Sequence, residues 1–78
     1  MRVDIYRQAE ADGKFSHLAV PEGQPIPQEA IDTAWEDEAR GLELDDSLER
    51  WDQYGIERPS EQMGQKGYAI TSLAKMTD

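Results

Sequence analysis

The stretch RVDIYRQAEADGKFSHLAV, residues 2–20, constrains the fold more than any other: two runs of alternating apolar and polar residues meet at Asp12-Gly13. Alternation with a period of two is the signature of a strand with two distinct faces, and Asp-Gly suits the positive φ angles of a tight type I′ hairpin turn. With those two residues as the whole loop, opposed positions sum to 25. Ile5 is then expected opposite Val20, Tyr6 opposite Ala19, Arg7 opposite Leu18 and Gln8 opposite His17. The pattern assigns Val3, Ile5, Leu18 and Val20 to an aliphatic core face, and Tyr6, Phe15, His17 and Ala19 to the other.

Downstream, Pro21, Gly23, Pro25 and Pro27 end the second strand, because proline cannot donate to a ladder and restricts the residue before it. Pro27 can open a helix, in which Ala30, Ile31, Ala34 and Trp35 form one apolar stripe suited to covering the aliphatic face of the hairpin. Residues 39–44 alternate again and suggest a third strand. Asp45 or Asp46 then caps a short helical turn holding Leu48 and Trp51, with Glu49 placed as in a capping box, and Tyr54 to Ile56 end it. Pro59-Ser60-Glu61 starts a further helix that Gly67 stops, and YAITSL, residues 68–73, reads as the last strand. The expected architecture is a single α+β domain over residues 1–73. It is a small, mainly antiparallel four-stranded sheet, in the order β-β-α-β-α-β, with a helix packed on one face and a flexible tail at 74–78.

At 78 residues the chain can bury only a small core. It has no cysteine, so no disulfide or thiolate metal site can reinforce that core, and a reducing, cytoplasmic setting fits. The N-terminal residues lack the basic-then-apolar layout of a secretory signal, and no apolar run is long enough to span a bilayer. Net charge is −9, and residues 35–61 hold ten acids against three arginines, a local net of −7. Such a field repels nucleic-acid phosphates and anionic membranes, so direct binding to either is not expected.

The same acids can be tested for chemistry. ELDDSLERWD has neither the spacing nor the central glycine of a calcium loop, and nothing in the sequence encloses a carboxylate pair in the low-dielectric pocket that acid–base catalysis needs. His17 is the only histidine, which excludes multi-histidine metal sites, and its candidate serines sit in no nucleophile motif. Gly64 and Gly67 do not make a phosphate loop. No catalytic residue, metal ligand or cofactor-binding residue is therefore assigned. Aromatic residues in acidic surroundings remain, and aromatics dominate interface hot spots. The candidate partner-binding set is Trp51 and Tyr54 as partly exposed anchors, Asp45, Asp46, Glu49 and Asp52 as their acidic rim, and Tyr6, Phe15 and His17 on the second hairpin face. That second face needs a cover from the C-terminal half, a second subunit or a ligand.

The segments MRVDIYR, VPEG-PIP and KGYAITSL resemble a family of small proteobacterial proteins of unknown function, a likeness that spans most of the chain. More distantly, Tyr6-Arg7, the proline-led segment from Pro27 to Trp35, and Gly67-Tyr68 resemble the YcgL-type domain. The resemblance implies a bacterial cytoplasmic origin and an α+β fold, and carries no catalytic residue onto this chain. The functional expectation is a small acidic protein-interaction module without a catalytic site, whose partner is a basic protein, with a homodimer through the second hairpin face or a sheet edge as a further arrangement. The alternatives are a DNA-mimic protein, whose carboxylates imitate phosphates, and a weak divalent-metal-dependent domain or enzyme.

Overall fold

The computed structural model describes residues 1–10, 13–28 and 35–71. Strand β1 (Arg2–Ala9) pairs antiparallel with β2 (Phe15–Pro21) on one side and with β3 (Glu36–Glu43) on the other. A short β6 (Ala69–Ile70) joins the free side of β2, giving the sheet order β3-β1-β2-β6. Between β3 and β6 lie a two-stranded ribbon of β4 (Arg50–Trp51) and β5 (Ile56–Glu57), a 3-10 turn over Asp52–Tyr54 between those strands, and helix α1 (Pro59–Lys66). Among the described residues, then, the protein has mixed helix and strand, a four-stranded antiparallel sheet and one α-helix. That helix is not long and apolar enough to cross a membrane.

The hairpin register differs by one residue from the one expected. Opposed positions sum to 24, so that Ile5 faces Ala19, Tyr6 faces Leu18, Arg7 faces His17 and Gln8 faces Ser16. The cause is the length of the connection. The Glu10 amide donates to the Lys14 carbonyl at 2.7 Å, which leaves three residues between them, and the last, Gly13, has φ +73°. Three-residue hairpin loops commonly end on such a left-handed residue, a conformation glycine adopts at no steric cost.

Because side chains alternate, a slip of one residue exchanges the faces of one strand against the other. Val3 and Ile5 therefore share a face with His17 and Ala19, while Leu18 and Val20 lie with Tyr6. Both faces are buried. On the first, Val3, Ile5 and Ala19 pack with Trp51, Tyr54, Ile56 and Ala69, flanked by Ala39, Leu42, Leu44 and Met63. On the second, Tyr6, Leu18 and Val20 pack with Tyr68, and Ile26, Trp35 and Ile70 close around them. Each fully buried Ile, Leu or Val side chain contributes about 1.5–3 kcal/mol relative to exposure, so this two-sided sheet holds most of the folding energy. The helix expected from Pro27 lies outside the described residues over its central portion, 29–34, as does the C-terminal tail; Trp35, at its end, sits on the second face.

Residues 45–54 do not form the expected capped helical turn around Leu48 and Trp51. Trp51 belongs to β4, where it pairs with Ile56 and is buried against the first face, and only the 3-10 turn follows it. Tertiary burial of one large indole here overrides a weak local helix signal. Helix α1 matches the sequence signals, with Pro59 in its first turn and Gly67 at its C-cap, whose amide donates to the Met63 carbonyl at 2.9 Å. From α1, the Gln62 carboxamide accepts the Ile70 amide at 3.0 Å and donates to the Glu57 carbonyl at 2.6 Å, so a side chain occupies the outer edge of β6 where another strand would pair.

The opposite edge, β3, is irregular. Arg40 and Gly41 together face Asp4, and Glu38 is a second extra residue, so the ladder to β1 is interrupted twice. Bulges and charges of this kind blunt an edge strand against pairing with other chains. Gly41 has φ +60°, and its amide donates to Asp4 Oδ1 at 2.9 Å. A Cβ at this position would lie 2.5 Å from Glu22 Oε2 and 2.8 Å from an Arg2 guanidinium nitrogen. Those two side chains can move apart, but the left-handed backbone cannot be avoided. Gly41→Ala should therefore destabilise the protein by about 1–2 kcal/mol in urea unfolding, whereas Gly64→Ala, in α1 with open space at its Cβ, should stabilise it by up to about 1 kcal/mol.

Candidate functional site

The candidate partner-binding residues do not form one patch. Trp51 and Tyr54 are 4% and 6% exposed and serve the core of the first face, which removes them as exposed anchors. Tyr6 belongs to the second cluster, under the Arg40 guanidinium at 5.5 Å from its ring centre. Phe15 is half-buried near the hairpin end with Arg7 stacked over it at 5.2 Å. His17 is buried on the first face. Only Asp45, Asp46, Glu49 and Asp52 are exposed.

His17 marks the junction between the hairpin and the C-terminal half. Its ring meets Tyr54 edge-on at 5.2 Å, and its backbone is clamped by Thr71. The His17 amide donates to Thr71 Oγ1 at 2.7 Å, the Thr71 amide donates to the His17 carbonyl at 2.9 Å, and the Thr71 hydroxyl donates to the Tyr54 carbonyl at 2.7 Å. One hydroxyl thus ties β2 to the 3-10 turn and continues the β2–β6 ladder. Burial holds the imidazole pKa below its usual value; Glu38 opposes that shift and Arg7 reinforces it. No feature of the sequence marks Thr71, since its partners lie 54 and 17 residues away.

Asp4 was also missed by sequence reasoning. It is 3% exposed on the second face, with Oδ1 accepting from Gly41 and Oδ2 from Gly23 at 3.1 Å, and Arg40 lies 3.6 Å away. The Gly41 and Gly23 amides, with Arg40, hold this carboxyl below its usual range despite burial. A buried carboxylate satisfied by two loop amides organises structure and spends its acceptor capacity doing so. Its only sequence signal is an acid in the middle of an apolar strand.

Two groups of exposed acids contrast among the described residues. On β3, Glu36 and Glu38 lie 4.0 and 3.5 Å from Arg7, and Asp37 lies 3.0 Å from Arg40, so arginines offset them locally. The loop at 45–49 differs. Asp45 Oδ1 accepts the Ser47 amide at 2.9 Å and the Ser47 hydroxyl at 2.6 Å, closing a tight Asx turn. The Trp51 indole N–H donates to the Asp45 carbonyl at 3.0 Å and anchors the loop to the core. Among the described residues, Asp45, Asp46 and Glu49 have no side chain of opposite charge within salt-bridge distance. The loop also carries Leu48, 51% exposed, beside a shallow groove of about 220 Å³ lined by Leu44, Leu48, Arg50, Trp51, Asp52, Gln53 and Tyr54. No group of three metal-ligating side chains is assembled among the described residues.

Two pH responses follow from these groups. The folded-state pKa of His17 is lowered, so the unfolded chain takes up the proton first. Its contribution is complete above the ordinary value of about 6.5 and declines as pH falls below it. Asp4 is also lowered, so its contribution persists to more acid pH and disappears as pH falls from about 3.9 through the folded value. Urea unfolding followed by tryptophan fluorescence should show both steps, with the upper one absent in His17→Gln. Thr71→Val, which strands the His17 amide and the Tyr54 carbonyl, should lose about 1–3 kcal/mol.

No curated protein and no solved structure matches the chain. A family model matches residues 1–77, nearly the whole sequence, under the description Family of unknown function (DUF6139). The chain is a member of that family.

Proposed function

We propose that this protein is a non-catalytic acidic interaction module of a bacterial cytoplasm that captures a basic protein segment. The observation that carries this reading is the distribution of compensated and uncompensated charge. Arginines offset the acids of β3, whereas the loop at 45–49 holds three acids in a fixed turn with no arginine or lysine at salt-bridge distance among the described residues; the N-terminal ammonium, paired with Glu43, acts on Asp45 and Asp46 only from farther off. A net −9 chain generates a long-range negative field, and cationic ligands collect where local counter-charge is lowest. The absence of cysteine supports a reducing compartment.

A field of this kind acts chiefly on association rate, and salt screens it: the Debye length falls from about 10 Å at 0.1 M to about 3 Å at 1 M. Binding of a short fluorescein-labelled lysine peptide, measured by fluorescence anisotropy, should weaken steeply with added salt. The triple variant Asp45→Asn, Asp46→Asn, Glu49→Gln should reduce both affinity and salt dependence, with the Asn at 45 still able to accept the Ser47 turn bonds. A triple variant that binds as tightly as the parent protein would reject this site.

A further inference from the structure

We propose that the groove beside Leu48 is a docking surface for one apolar side chain of a basic peptide segment, with Asp45, Asp46 and Glu49 engaging the flanking cations. The inference rests on the acidic-module reading and adds a recognition element to it. Charge alone would draw any polycation to this loop; an apolar contact selects among them.

Three observations converge on the groove. First, Leu48 is the one large hydrophobic side chain that is exposed among the described residues, at 51%. Second, its loop is held in shape. The Leu48 amide donates to the Asp45 carbonyl at 3.2 Å, the Asp45 carboxylate closes the turn through Ser47, and the Trp51 indole grips the same Asp45 carbonyl. A leucine on a loop with this many internal bonds is presented outward with its backbone already ordered, which lowers the entropic cost of binding. Third, the groove floor includes Leu44 and parts of Trp51 and Tyr54, which supply apolar surface otherwise committed to the core.

Charge decides the occupant. A second copy of the chain would bring a second −9 against the same acids, and like charges held together oppose association. A lysine- or arginine-rich segment complements Asp45, Asp46 and Glu49, and a leucine or phenylalanine within it fits a groove of about 220 Å³. Arg50, also lining the groove, lies 4.0 Å from Asp52, so the lining itself is balanced and the negative charge comes from Asp45, Asp46 and Glu49 on the adjoining loop.

The test compares two fluorescein-labelled peptides of equal charge: lysines alone, and lysines with one leucine and one phenylalanine. Binding is read by anisotropy and by the ¹⁵N resonances of the Leu48 amide and the Trp51 indole. The apolar-bearing peptide should bind about tenfold more tightly and shift both resonances. Leu48→Ser should remove that advantage while leaving the lysine-only peptide unaffected. Since Leu48 is half exposed, the variant should keep the parent's melting temperature and the dispersed Trp51 indole signal. Equal affinities for the two peptides, or an advantage that survives Leu48→Ser, would overturn the groove while leaving the electrostatic reading intact. Failure of both peptides to bind would overturn both.

Discussion

The register between β1 and β2 is the constraint on which the rest of the structure depends. Both strands are buried on both faces, from Val3 to Tyr6 and from Ser16 to Val20, so their pairing decides which apolar residues meet which layer. With opposed positions summing to 24, Ala19 and His17 lie beside Ile5 on the face that receives the C-terminal half, and Leu18 and Val20 lie beside Tyr6 on the face that receives Trp35 and Tyr68. A slip of one residue would put bulky Leu18 and Val20 where Trp51 and Tyr54 now sit. The small Ala19 and Ala69 leave room for those rings.

Burying both faces of a sheet in so short a chain leaves little choice about polar groups. Asp4, Ser16, His17 and Thr71 are enclosed, and no buried side-chain nitrogen or oxygen among the described residues lacks a hydrogen-bond partner. Buried polar groups cost little when their bonds are made and several kcal/mol when they are not, so these networks favour one arrangement over its neighbours. Asp4 fixes the Gly41 bulge and the Gly23 turn at once; Thr71 fixes the hairpin to the 3-10 turn. The edges follow the same economy, with Gln62 pairing the outside of β6 and bulges interrupting β3.

The acidic surface is organised by these contacts and does not act as a uniform coat. Arg7 reaches across from β1 to Glu36 and Glu38, and Arg40, on β3 itself, pairs with Asp37, so the strand richest in carboxylates is also the best neutralised. The segment that remains negative is the one drawn inward by Trp51, whose burial holds the 45–49 loop against the sheet and leaves Leu48 facing water. Core packing thus determines where the protein's excess charge is displayed.

Much of the outline could be read from local patterns. Alternation marked β1 and β2, Pro59 and Gly67 bracketed α1, and the third strand was expected at 39–44 against an observed Glu36–Glu43. These signals are legible because they depend on backbone preferences and on neighbours two to four residues away. The expectation that Trp51 and Tyr54 lay at the surface failed because their neighbours in sequence are polar, whereas their neighbours in space are Val3, Ile5 and Ala69. The sequence by itself determined a negatively charged, cysteine-free chain built on a hairpin and closed by a capped helix. Tertiary structure alone decided the register, the enclosure of Asp4 and His17, and the outward placement of Leu48. Each of those depends on contacts between residues far apart along the chain, whose energies no local period encodes.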